Sequence, residues 1–256
     1  SYAREVAPIV RQRCQGCHRP GDVAPFTLAT HAEIKSHAAM IAEVVADRRM
    51  PPWYGGGGSL PLQNHLPLTD AERHRLLAWI AAGCPHDAPE AVEPPSARAP
   101  RWSLGEPDQV LTMFEEHEVP ATGLVPYYYA VLPYVFTEAT WVSALEISPD
   151  HPEVVHHANL GFARLGEQVT DDNFLTGRVP GGEAMVLPEG TAVLIPAGSV
   201  IGLQIHYTTI GRPVTSKLSV GLKFPRAPVQ KRLYFECISN RRFAIPPHAP
   251  AHEVKA

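Results

Sequence analysis

Cys14-Gln15-Gly16-Cys17-His18 places two thiols three positions apart with an imidazole directly after the second. This spacing lets both thiols add to the vinyl groups of a porphyrin while the histidine reaches the iron. A bare C-x-x-C also serves as a redox dithiol or as half of a tetrahedral zinc site. The dithiol needs a preceding strand and a βαβ setting, but the residues ahead of Cys14 have helical spacing. The zinc site needs a second pair, and the chain has no other C-x-x-C. The motif therefore reads as attachment of one haem c through Cys14 and Cys17, with His18 as an axial ligand.

The opposite axial position has several claimants. Met50, in Arg49-Met50-Pro51-Pro52-Trp53, follows a helical segment, and its prolines favour an extended loop. A thioether there raises the potential and suits electron transfer. His65 is the alternative, and Met40 reads as core packing within the helix. Met50 as a mere hydrophobic plug stays open.

A second group of histidines lies far along the chain. His156 and His157 are adjacent in the apolar run Val154-Val155-His156-His157-Ala158. Two buried imidazoles in succession are costly unless something binds them. Neighbouring strand residues point to opposite faces, so one metal could take both only if the backbone kinks or the two rings use different nitrogens. His206, in Leu203-Gln204-Ile205-His206-Tyr207, sits opposite the apolar stripe of its own run. Three imidazoles with an open position suit copper or zinc.

The elements that must position these residues divide the chain into an α + β, two-domain arrangement. Residues 1–86 carry helical periodicity over Tyr2–Arg13 and His31–Arg49. Thr69-Asp70-Ala71-Glu72 forms a capping box that opens a third helix, which Leu76, Leu77 and Ile80 stripe and Gly83 ends. Residues 87–101 are Pro- and Ala-rich and aperiodic, as a linker is. From 102 to 256, short apolar runs at 127–132, 141–147, 154–162, 193–195, 200–207 and 218–224 alternate with Pro, Gly and Asp. These runs predict an antiparallel β-sandwich. Gly55–Gly58 lacks the Lys-Ser/Thr of a phosphate loop and reads as a tether.

The stretch Ala144-Leu145-Glu146-Ile147, Val154-Val155-His156-His157, Leu187-Pro188-Glu189-Gly190 and Leu203-Gln204-Ile205-His206-Tyr207 resembles the N-terminal half of the copper type II, ascorbate-dependent monooxygenases. This is the family of peptidylglycine α-hydroxylating and dopamine β-monooxygenases. Ser219–Phe224 is similar to the strand after that family's last ligand. With C-x-x-C-H-R-P-G and R-R-M-P-P-W segments, the chain as a whole resembles bacterial proteins that fuse a cytochrome c to such a domain. The resemblance implies a small, all-α, class I-like cytochrome c followed by a jelly-roll-like copper domain. It also implies an electron-transfer copper on His156, His157 and His206. The chain departs from the family in having no His-x-His, which the substrate-side copper needs, and it stops at Ala256, where that second half would begin. His248 and His252 read as surface residues; His37, His74, His86, His117 and His151 have no evident partner and read as exposed.

The resemblance implies a haem-fed copper oxidoreductase, of which this chain is the electron-input portion, served by a redox partner protein or small reductant and completed by a C-terminal copper domain. The alternative is a non-catalytic electron carrier or copper-binding redox module. The net charge of −4 includes no basic block, which argues against nucleic acid, and no apolar run is long enough for a membrane span. Ser1 opens without an initiator Met and reads as a mature, periplasmic or otherwise extracytoplasmic chain. In such a compartment Cys84 and Cys237 could pair; two separate buried thiols is the other reading. No catalytic acid–base pair or nucleophile stands out.

Overall fold

The computed structural model describes residues 1–52, 67–87, 101–167, 169–170, 173–236, 240, 242–249 and 252–255. Most of the linker, His65, Trp53, the Gly55–Gly58 run and Cys237 fall outside these.

The first part of the chain is helical. A π-turn at Tyr2–Val6 runs into α1 (Ala7–Arg13), followed by α2 (His31–Ser36), α3 (Ala38–Ala46) and α4 (Asp70–Ala81). Val6, Ile9, Val10, Ile34, Ile41, Val45, Leu76 and Trp79 build one core. Trp79 takes the place expected of Leu77 and Ile80, which are only partly buried against that core. The expected capping box of Thr69 with Glu72 forms, and a second, Thr30 with Glu33, opens α2. Glu72 also receives Arg13 at 3.1 Å, tying α1 to α4.

The helix expected over 31–49 breaks at His37, whose φ and ψ are −105° and 8°. Its Nδ1 lies 2.9 Å from the carbonyl of Glu33, and its ring stacks on Phe26 at 4.0 Å. Both contacts hold the residue out of helical register. Met40 on α3 is 51% exposed, so it does not pack the core as expected.

The rest is mostly antiparallel sheet. The strands are β1 (Gln109–Thr112), β2 (His117–Val119), β3 (Tyr128–Val131), β4 (Thr140–Val142), β5 (Ala144–Pro149), β6 (Val155–Arg164) and β7 (Phe174–Arg178). They continue with β8 (Met185–Val186), β9 (Thr191–Ile195), β10 (Ser199–Tyr207), β11 (Val214–Ser216), β12 (Leu218–Lys223) and β13 (Lys231–Arg232). Two four-stranded sheets, β1-β12-β5-β8 and β3-β10-β6-β7, are accompanied by a β11-β2 ribbon and a smaller β13-β9-β4 sheet, whose β13–β9 pair is parallel. All six expected runs contain strands. Leu145, Ile147, Val220 and Leu222 from one large sheet and Ala158, Leu160, Leu203 and Ile205 from the other belong to a single buried core. No helix among the described residues is long and apolar enough to cross a membrane.

Candidate metal and haem sites

The longest ladder positions the histidines. β10 pairs β6 in antiparallel register from Ser199↔Arg164 to His206↔His157, and the next pair is Tyr207↔Val155. His156 is therefore the extra residue of a β-bulge: His156 and His157 together oppose His206. A bulge bends its strand and re-aims side chains, which supplies the kink that two adjacent histidines need to share a face. Pro152–Val154, a short 3₁₀ turn, leads into the bulge.

The three rings meet almost as an equilateral triangle. Centroid separations are 5.3 Å for His156–His157, 5.1 Å for His156–His206 and 5.2 Å for His157–His206, with interplanar angles of 64–78°. One ring nitrogen from each lies within 4.8 Å of the other two. A metal–imidazole bond of about 2.0–2.1 Å spans nitrogens up to about 4 Å apart, so modest ring rotation closes the set. His156 is exposed while the other two are half-buried, leaving one side of the triangle open.

Two observations bear on what the rings could bind. Nδ1 of His156 and Nδ1 of His157 are 3.1 Å apart, and at least one of them must present a lone pair rather than a hydrogen. Nδ1 of His206 is buried with no hydrogen-bond partner among the described residues. Burial, with the two neighbouring imidazoles, lowers the pKa of His157 and favours the neutral form that binds metals. Tyr127 stacks over His206 at 4.9 Å and lies 5.6 Å from His157, closing the back of the group. Sequence reasoning missed Tyr127, because it immediately precedes β3 with no motif to mark it. Three imidazoles with no thiolate or carboxylate beside them suit copper(II), which outranks zinc on the divalent affinity scale.

The cysteine motif sits in a loop between α1 and α2. Cys17 and His18 both donate backbone N–H groups to the Cys14 carbonyl, at 3.1 and 2.9 Å, so the motif curls as one helical turn. The loop is closed by Leu28 N–H to His18 O at 2.9 Å and by Gln15 Nε2 to Leu28 O at 2.9 Å. Arg19 pairs with Asp22 at 2.8 Å across the turn at Gly21, whose φ of 74° suits glycine.

His18 Nδ1 lies 3.0 Å from the carbonyl oxygen of Phe26. A carbonyl only accepts, so Nδ1 carries the hydrogen and Nε2 is left with its lone pair for a metal. Burial lowers the His18 pKa, again favouring the neutral ring. Cys14 and Cys17 are free thiols. Burial pushes the Cys14 thiol up to about 12 and raises Cys17 as well. A redox dithiol needs the opposite shift. Donor set and burial thus fit a covalently attached porphyrin ligated by His18.

Met50 stands after α3, with its N–H bonded to Val44 O at 3.1 Å. It is 38% exposed and outside the helical core, so it does not act as a buried plug. Cys84 is a buried free thiol, and Cys237 lies outside the described residues.

Four of the histidines expected to be exposed are engaged. His37 stacks on Phe26, His86 lies 5.3 Å from Tyr2 and 4.3 Å from His31, His117 packs between Tyr128 and Tyr207, and His151 Nδ1 lies 3.1 Å from Glu153. Aromatic packing explains three of them, a pairing that spacing along the chain does not reveal. His74, His86, His248 and His252 are exposed, as expected, although the His86 ring also touches Tyr2 and His31.

Comparison of the chain with known protein families, with curated proteins and with solved structures finds no significant match.

Proposed function

We propose that the chain is the electron-input portion of a haem-fed copper oxidoreductase: a small cytochrome c unit joined to a jelly-roll-like β-sandwich that binds copper, working outside the cytoplasm. The observation that carries this reading is the imidazole triangle built by the bulge at His156, in the same chain as a half-buried C-x-x-C-H turn. The shared core of the two large sheets supports the sandwich. What a covalent haem and a three-imidazole copper supply is one-electron redox chemistry tuned by axial ligand and burial.

The residues' roles follow from their surroundings. Cys14 and Cys17 would hold the porphyrin as thioethers, and the Phe26 carbonyl fixes the tautomer that leaves His18 Nε2 for iron. Met50 is the sixth-ligand candidate, exposed and beside the α3 terminus. His156, His157 and His206 would hold copper, with Tyr127 limiting the rotation of two of them. The two sites are linked through the sheet: Ala158, next to His157, pairs with Arg178, and Gly181 in the following loop lies against Cys17.

A non-catalytic electron carrier is the second reading. It draws on the histidine trio being the sole three-ligand cluster among the described residues, with no second site for a substrate-side metal. A redox protein partner or small reductant serves either reading, and a separate copper domain completes only the first.

Metal quantification and a visible spectrum on the purified chain test the proposal. The expected result is a porphyrin that survives denaturation and one equivalent of copper lost on His206→Ala. A chain without covalent porphyrin removes the haem reading. A chain that keeps porphyrin but binds no stoichiometric copper removes both copper readings.

A further inference from the structure

A cleft of about 740 Å³ separates the cysteine-motif loop from the sheets. Gly16, Arg19, Gly21 and Asp22 form one wall; the other comes chiefly from β5, β7, β12 and the loop between β7 and β8. Neither Cys14, His18 nor Phe26 lines it, and its lining mixes charged and hydroxyl groups with apolar side chains such as Leu145, Ile147 and Met185.

Arg178 is the unexplained group in this cleft. It ends the edge strand β7, with Thr176 two residues earlier on the same face and also lining the space. Nη1 of Arg178 is buried and has no hydrogen-bond partner among the described residues. A buried donor of a charged group left unmade is costly, and native structures rarely leave one without a ligand or ordered solvent. The nearby carboxylates are already committed. Asp22 receives Arg19 and the Val23 N–H. Glu146 receives the N–H groups of Ser103 and Leu104. Asp150 receives Ser216 and the Lys217 N–H, and Glu183 has a partner of its own. These acids soften the field around Arg178 without filling its fork. Desolvation accordingly lowers the pKa of Arg178 against the pull of Asp22 and Glu146.

We propose that this cleft binds a small carboxylate, with Arg178 as its anchor. The planar guanidinium fork matches a carboxylate in bidentate geometry, which a spherical anion does not exploit. Hydroxyls of Thr176 and Ser148 line the same space and suit a ligand that also carries hydroxyl groups. The site requires neither iron nor copper, so it stands or falls apart from the redox reading.

Calorimetric titration of the full chain with succinate at fixed ionic strength tests it, with chloride and inorganic phosphate as controls. Saturable succinate binding is expected, weakened about 10- to 100-fold in Arg178→Gln, the effect of losing hydrogen bonds to a charged group. Arg178→Lys, which keeps charge but loses the fork, should fall between the two. Absence of saturable binding in the unaltered chain overturns the proposal whether or not the variants fold. Equal binding by a folded Arg178→Gln chain also overturns it, and binding of phosphate without succinate overturns the carboxylate assignment.

Discussion

The two cofactor-ready groups are held in opposite ways. His156, His157 and His206 stand on a ladder backed by a core of 24 buried residues among those described, and their triangle is already formed by the bulge. Cys14, Cys17 and His18 occupy a loop of a helical unit whose described core has 13 buried residues, held in shape by backbone hydrogen bonds. A ladder fixes side-chain direction through register, whereas a loop fixes it only through local contacts. The imidazole trio is thus preorganised by the fold, while the cysteine-motif group offers ligands that the proposed covalent bond to porphyrin would lock.

The sharpest way to break this contrast is to loosen the ladder. Ile205 is fully buried beside His206. Ile205→Ala should cost about 2–5 kcal/mol, felt by β6 and β10 in residue-resolved hydrogen exchange and not by α4. Copper affinity should fall with it. If the sheet loses stability but the trio binds copper as before, the triangle does not depend on the ladder, and the contrast fails. The helical counterpart is Thr69→Ala, which removes one half of a capping box at the start of α4. It should cost about 1 kcal/mol, confined to the helical amides. Equal loss in both units would mean that they unfold as one.

Legibility in the sequence follows the same division. The six apolar runs were readable because strands sharing one core are apolar and are punctuated by Pro, Gly and Asp, and the Thr69–Glu72 capping box because it is local chemistry. The trio was readable as residue types but not as geometry. Adjacent strand residues should diverge, and only the ladder register shows that His156 is the extra residue. The strands β1, β2, β7, β8, β11 and β13 have no extended apolar run around them to mark them, whereas β3 and β4, equally short, fall within longer runs. The helix break at His37 depends on Phe26, and the engagement of His117 on Tyr128 and Tyr207; both are ring contacts that spacing along the chain does not encode. Arg178 gave no signal at all, since nothing along the chain says that its guanidinium faces the cysteine loop.

Tyr127 sharpens the comparison at smaller scale. Its ring restrains His206 and His157 by stacking alone, worth about 0.5–1.5 kcal/mol. Tyr127→Leu should therefore weaken copper binding by about 2- to 10-fold and leave the sheet's hydrogen exchange unchanged. No change in affinity would show that the ladder alone sets the triangle, which strengthens the contrast and removes Tyr127 from the site.

The smallest effect concerns the helical unit's dependence on local hydrogen bonds. Glu33 receives the Thr27 hydroxyl at 2.6 Å and the N–H groups of Ala29 and Thr30 at 2.7 and 3.0 Å. The Thr27 hydrogen bond chiefly holds its pKa below the ordinary 4.5, with the two backbone donors adding to it against partial burial. A carboxylate depressed in the folded state contributes stability that is complete above its unfolded pKa and is lost as pH falls through the folded one. The helical unit should therefore weaken as pH drops below about 4.5, and Glu33→Gln should flatten that acid limb. Asp108, held low chiefly by the Phe224 N–H, gives the sheet an acid limb of its own, which Glu33→Gln should leave intact. An unchanged helical limb in Glu33→Gln would show that the loop carrying His18 is ordered by its core rather than by these hydrogen bonds. The two sites would then differ less in how they are held than their geometry suggests.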